Sequence, residues 1–175
     1  MPAPDVARLV AHFGMTMLPV ESTLFVSTYV SAARAADGGA AGTAMLGLYA
    51  REPLSRSLFH RLAHDEVWHY HLGDPLRLVL LHADGSDEDV LLGPDVLAGH
   101  RVQHVVPAGT WQAGELLEGG DWSLFGCTVV PGFTGEIFES GYADVLVRMH
   151  PARLSDIERL AVPPHEPPSM PIGFT

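Results

Sequence analysis

Apolar residues open the chain at a helical spacing and then switch to short, strand-like runs. Val6, Leu9, Val10 and Phe13 recur at i, i+3, i+4 and i+7, which predicts an amphipathic helix over residues 4–13 with Asp5 in its first turn. Residues 25–31 are rich in β-branched and aromatic side chains and read as a strand. The Ala/Gly-rich segment 34–42 reads as a loop or hairpin tip. Strand-like runs follow at 43–50, 57–62, 66–71, 76–82, 89–92, 103–106, 109–117 and 122–130. Glu52-Pro53, Gly73-Asp74-Pro75, Asp84-Gly85-Ser86, Gly93-Pro94-Asp95, Pro107-Ala108-Gly109 and Gly119-Gly120-Asp121 separate them, and each supplies a residue suited to a turn. Short strands at this spacing predict an all-β sandwich or barrel. Residues 143–149 read as a short helix, and Ser155-Asp156-Ile157-Glu158 as a capping box that starts another. A single domain over residues 1–162 is expected. The Pro-rich tail, 163–175, cannot continue a helix and reads as extended or mobile.

Composition narrows the function classes. At 175 residues the chain can bury one ordinary core, and 47% hydrophobic against 18% charged residues favours a packed globule. A formal charge of −11, with only ten Lys and Arg, argues against a nucleic-acid partner. No apolar run approaches the roughly 18 residues of a membrane span, and Met1-Pro-Ala-Pro-Asp5 does not resemble a secretion signal. The lone Cys127 rules out an internal disulfide and suits a reducing compartment, so a cytoplasmic location is expected.

Residues 57–73 hold the densest candidate chemistry. The segment His60-Arg61-Leu62, three residues, Glu66, six residues, Gly73 resembles the first cupin motif, H-x-H, a short gap, E, six residues, G, with Leu62 at the second His position. Pro107-Ala108-Gly109-Thr110-Trp111-Gln112 resembles the second motif, P-x-G-x-x-H, with Gln112 at its His position. The wording is closer still to a cupin subfamily known as a domain of unknown function. Its members carry runs like Asp65-Glu66-Val67-Trp68-His69, Leu92-Gly93-Pro94-Asp95, Val106-Pro107-Ala108-Gly109-Thr110-Trp111 and Gly126-Cys127-Thr128-Val129-Val130-Pro131-Gly132-Phe133. This similarity covers roughly residues 15–150. It implies a double-stranded β-helix, the cupin jelly-roll barrel, with a ligand pocket inside and a homodimeric assembly; the N-terminal helix and short C-terminal helices read from the residue pattern would flank that barrel. Two arginines typical of the subfamily are absent: Leu58 replaces one before His60, and Val26 replaces another in the opening motif. That motif keeps Glu21 but has Ser22-Thr23 in place of two glycines.

Strand alternation puts Leu58, His60 and Leu62 on one face, and Glu66, Trp68 and Tyr70 on another; the cupin analogy points both sets inward. Two chemistries are open. His60, Glu66 and Gln112 form a possible divalent-metal set, but Leu62 removes a donor, and a metal cupin needs about four ligands. A metal-dependent oxygenase or lyase is the corresponding alternative. Without a metal or other cofactor, His60 can serve as a base and Glu66, its pKa raised by an apolar interior, as an acid or orienting group. The metal-free dTDP-keto-sugar epimerases place a catalytic His at the matching position, which makes an isomerase, epimerase or cyclase the leading reading. A purely structural His60–Glu66 pair in a non-catalytic binding protein is the third.

Gln112, Trp68, Tyr70, Trp111, Leu58, Leu62 and Tyr29 are the expected small-molecule-binding residues, with the aromatics as pocket walls or core. His69 and His71 share a strand face opposite Glu66, suited to a surface. Cys127 reads as a buried inert thiol, and Asp37, Asp84, Asp87, Glu88 and Asp89 as solvated acids. Losing two arginines, the residues best suited to gripping anions, implies an uncharged, fairly apolar ligand.

Overall fold

A computed structural model describes residues 6–36 and 38–170. Residues 4 and 5 of the expected first helix, Asp37, and residues 171–175 of the expected tail lie outside the described residues. Among the described residues, eleven strands form two antiparallel sheets. They are β1 (Thr16–Met17), β2 (Leu24–Val30), β3 (Thr43–Ala50), β4 (Ser57–Leu62), β5 (Asp65–Gly73), β6 (Leu76–Leu81), β7 (Asp87–Leu92), β8 (Gln103–Val106), β9 (Trp111–Leu116), β10 (Trp122–Val130) and β11 (Phe138–Ser140). One sheet runs β1-β2-β3-β10-β5-β8 and the other β11-β4-β9-β6-β7. The two face each other as a jelly roll and are not joined into a closed ring. Three α-helices, α1 (Val6–Phe13), α2 (Ala143–Met149) and α3 (Leu154–Leu160), accompany the sheets among the described residues. None of the described helices is long and apolar enough to cross a membrane.

Alternation along the strands sorts side chains between the barrel interior and its outer covers. On β6, Leu76, Leu78 and Leu80 enter the central cluster with Tyr49, Trp68 and Phe125, and all three are fully buried. Each such Leu contributes about 1.5–3 kcal/mol of burial. Val79 and Leu81 point the other way, beneath Leu146, Ile157 and Leu160 of α2 and α3. Helical cover explains why β6 reads as a nearly continuous apolar run, with both faces buried. On the other sheet, α1 lays Val6, Leu9, Val10 and Phe13 over an outer cluster containing Leu24, Leu48 and Trp122.

Strand boundaries follow the expected runs closely, but β1 and β11 were too short to announce themselves. The helix near residue 155 does not begin with a capping box. It starts at Leu154 after a 3-10 turn (Pro151–Arg153), with no side-chain cap bond, and Ser155 lies inside it. Asp156 instead binds Arg77 of β6 through two 2.9 Å hydrogen bonds. Arg153 reaches Asp87 at 2.7 Å and Asp89 at 3.1 Å. Asp87 and Asp89 thus clamp the C-terminal helices to the sheet as well as meeting solvent.

Gly73 closes β5 at φ +97°, and a Cβ there would lie 2.5 Å from the Trp122 carbonyl oxygen. Both the left-handed backbone and the close approach require glycine. Gly73→Ala is expected to cost at least about 2 kcal/mol in urea unfolding; an unchanged midpoint would show that the turn relaxes freely.

Candidate functional site

The site begins with a buried ion pair. His60, on the inner face of β4, places Nδ1 2.8 Å from Oε2 of Glu21 and 2.9 Å from the Leu58 carbonyl oxygen. Both partners accept, so Nδ1 carries the hydrogen, and the titrating nitrogen is Nε2. His60 and Glu21 are each almost fully buried. Desolvation pushes the imidazole pKa down, but the charge and hydrogen bond of Glu21 outweigh it, with help from Glu66, and raise it to about 9. The ring also stacks on Phe138, centroids 5.2 Å apart, an arrangement that favours the cation.

Glu21 is held in turn. Ser57 donates to its Oε1 at 3.3 Å, and the hydroxyl of Tyr49 donates to Ser57 at 2.6 Å. Ser57 and Thr23 hydroxyls lie 2.9 Å apart. A Cβ on Gly114 would overlap the Tyr49 hydroxyl, so glycine at that position makes room for it. Ser22, beside Glu21, adopts φ +66°. That left-handed conformation is what a glycine would take without cost, and the subfamily's opening motif carries glycine there.

Glu66, from β5, is the second carboxyl. Gln112 donates from Nε2 to its Oε2 at 2.6 Å, while Gln112 Oε1 accepts from Trp68 Nε1 at 2.9 Å, which settles the orientation of the amide. Desolvation raises the Glu66 pKa against the opposing pull of His60 and Gln112. The Cys127 thiol also bonds to Glu66, and burial together with that carboxyl pushes the thiol pKa well up. Cys127 is therefore buried, as its sequence context suggested, and ionises less readily than an ordinary thiol.

His60, Glu21 and Glu66 all line a cavity of about 70 Å³, walled by Leu18, Phe25, Leu62, Trp68, Phe138 and Met170 among others. That is room for roughly five water molecules, or a ligand of similar size.

Of the expected site residues, the fold brings together His60, Glu66, Gln112, Trp68 and Leu62. Leu58 is buried beside Leu62 in the cluster under the cavity wall. Trp111 faces the other way: Gln112 points inward, so its strand neighbour must point outward, where it packs under α2 with the Arg61 guanidinium 4.5 Å above its ring. Tyr70 packs against the central cluster, but it stands opposite Phe125, with the Trp68 rung between it and Glu66, and its hydroxyl bonds the Gly73 carbonyl at 2.5 Å. Tyr29 is 57% exposed near the end of β2. His69 sits on the outer face, bonded to Thr128 and Gln103. Val26 also faces outward, against the α1 cluster, so an arginine in its place would not enter the cavity. Only Leu58 bears on the missing-cation argument.

Glu21, Ser57 and Tyr49 were not singled out from sequence as site residues. The retention of Glu21 beside two altered glycines was the available signal.

The donors do not suit a metal. Gln112 spends its oxygen on Trp68, His60 is held as a cation with Nδ1 on Glu21, and Leu62 offers no lone pair. Among the described residues, no three His, Cys, Asp or Glu cluster as ligands.

The jelly roll brings a His from β4 and a Glu from β5 of the facing sheet to one cavity, the arrangement the cupin resemblance implies. The sequence profile described as Cupin superfamily (DUF985) matches residues 7–140, and the chain belongs to that family. A hypothetical protein from Leishmania major is 27% identical, with TM-score 0.82 over 90% of this chain and 99% of its own. A protein from Shewanella oneidensis is also 27% identical, with TM-score 0.83 over 91% and 99%. A cupin 2 conserved barrel protein from Rhodopseudomonas palustris, 14% identical with TM-score 0.56 over 86% and 92%, shares the fold. No protein of curated function matches the sequence.

Proposed function

We propose that this cupin is a small-molecule enzyme of the isomerase, epimerase or cyclase kind, moving a proton beside the carbonyl group of an uncharged, fairly apolar metabolite. The observation that carries this reading is the buried Glu21–His60 ion pair on the wall of an apolar cavity that Glu66 also lines. The roles expected from sequence exchange. A His60 held protonated to about pH 9 is an acid at neutral pH, able to give a hydrogen bond or proton from Nε2 to a carbonyl oxygen. Glu66, with its pKa raised by desolvation, is the base that takes the proton from the adjacent carbon. Gln112, fixed by Trp68, keeps the Glu66 carboxylate oriented without neutralising it.

The charges support an uncharged ligand: Glu21 already balances His60, so an anion would meet an unpaired carboxyl. The same side chains run the reaction without a metal in this reading. Incubating the protein with C3–C6 ketones and aldehydes in D₂O tests it. Exchange of α-protons, followed by NMR, is expected and should survive dialysis against a chelator. Tight binding with no exchange would make the protein a binding module. Exchange restored only by a divalent ion would return the metal-dependent alternative.

A further inference from the structure

We propose that Met170, carried on a Pro-rich strap over residues 162–170, is the specificity-determining residue that limits how long a ligand the cavity accepts. The tail is not loose over these residues. Val162 and Met170 are 2% and 4% exposed, and both join the cluster that contains Leu58, Leu62 and Phe138. Between these buried ends the chain bows outward through Pro163, Pro164, Pro167 and Pro168.

Four bonds tie the bow to the barrel rim. The Val162 amide donates to the Gly141 carbonyl at 2.9 Å, and the Ser140 amide to the Pro168 carbonyl at 2.8 Å. The Ser140 hydroxyl donates to the Pro167 carbonyl at 2.8 Å, and the Tyr142 hydroxyl to the Glu166 carbonyl at 2.8 Å. Prolines suit such a segment because they fix the backbone φ and need no acceptor for an N–H of their own; the bow turns at Pro164–His165, where the Glu166 amide donates to the Pro163 carbonyl at 3.0 Å. The strap thus brings a distant Met side chain into the wall of the cavity that His60 and Glu66 line.

Methionine is unbranched and adaptable, a residue that fills irregular gaps. Shortening it to Ala removes Cγ, Sδ and Cε from the wall of a cavity with room for only about five waters. The strap also lies beyond residues 7–140, so this wall is not part of the matched family span. Met170 would act on ligand length whatever chemistry the site performs.

Cys127 gives a direct probe of size, because it lines the cavity and is the only cysteine in the chain. Alkyl methanethiosulfonates with methyl, butyl and hexyl chains would be reacted with wild type, Met170→Ala and Met170→Phe. The Cys127 thiolate attacks the sulfenyl sulfur, the disulfide forms, methanesulfinate leaves with the electron pair, and the thiol proton goes to buffer. The high thiol pKa slows all reagents alike, so the hexyl-to-methyl rate ratio is the readout.

Met170→Ala is expected to raise that ratio by on the order of tenfold or more, and Met170→Phe to lower it, as removing or adding pocket volume should. Equal ratios in the three proteins would overturn the assignment. So would labelling whose rate climbs with urea along the global unfolding slope, because the reagents would then be reading the unfolded chain. No carbonyl compound enters this test, so it and the exchange assay fail separately.

Discussion

Glu21→Gln is expected to remove up to about 3 kcal/mol of stability at pH 6 and almost none above pH 10. That loss follows from the rise of the His60 pKa from 6.5 to about 9, which the charge and hydrogen bond of Glu21 produce against the desolvation that opposes it. A group whose folded pKa lies above its unfolded value contributes stability that is fully present below the unfolded pKa. That contribution fades as pH rises through the folded value, here between about 6.5 and 9. Gln can still accept from Ser57 and from His60 Nδ1, so the variant removes charge with little change of shape. The pair's net worth is smaller than its pH-dependent part, because desolvation opposes it. Urea unfolding from pH 6 to pH 10, with an NMR titration of the His60 ring protons, measures both quantities. A wild-type curve as flat as the variant's would mean that the imidazole is neutral in the folded protein, and the assignment of His60 as acid would fall with it.

Loss of either partner in proton transfer should have the largest effect on turnover. Glu66→Gln and His60→Gln are each expected to slow α-proton exchange by about 10²- to 10⁴-fold, the usual worth of a positioned base or acid. The wild-type rate should rise as Glu66 ionises, at a pH above that of an ordinary glutamate, and fall near pH 9 as His60 loses its Nε2 proton. These limbs belong to the coupled pair and not to either residue alone. Glu21→Gln moves the falling limb to lower pH, and His60→Gln abolishes it. Gln112→Leu removes a donor to Glu66 and moves the rising limb upward. A wild-type limb that rises through pH 6–7 and is abolished by His60→Gln would restore His60 as the base.

Much of the architecture was legible because alternation and turn chemistry are local. The β3, β4, β8 and β10 spans coincide with runs bounded by Gly, Pro and Asp signals. His60 and Glu66 were recoverable from motif spacing, since both lie on strands whose inward face the motif implies. Trp111 shows the limit of reading a motif as a block. It stands next to Gln112, and a period of two sends neighbours to opposite faces, so the two could not share the cavity. Val26 failed for the same reason: Phe25 and Ser27 line the cavity, and the residue between them cannot. The capping-box reading of Ser155 failed because the helix begins one residue earlier, at Leu154 directly after the 3-10 turn, which puts Ser155 inside it.

The order of polar and apolar residues along this chain determined that it would form short antiparallel strands with covered faces, and which His and Glu would look inward. It could not determine what those groups would meet. Glu21 lies 39 positions before His60, and Ser57, Tyr49 and Met170 arrive from other parts of the chain. Only the closing of one sheet over the other, with the strap across the rim, brought them together. Protonation at His60 depends on that assembly because an imidazole's charge is set by the carboxylates and dry surroundings within a few ångströms, not by its neighbours in sequence.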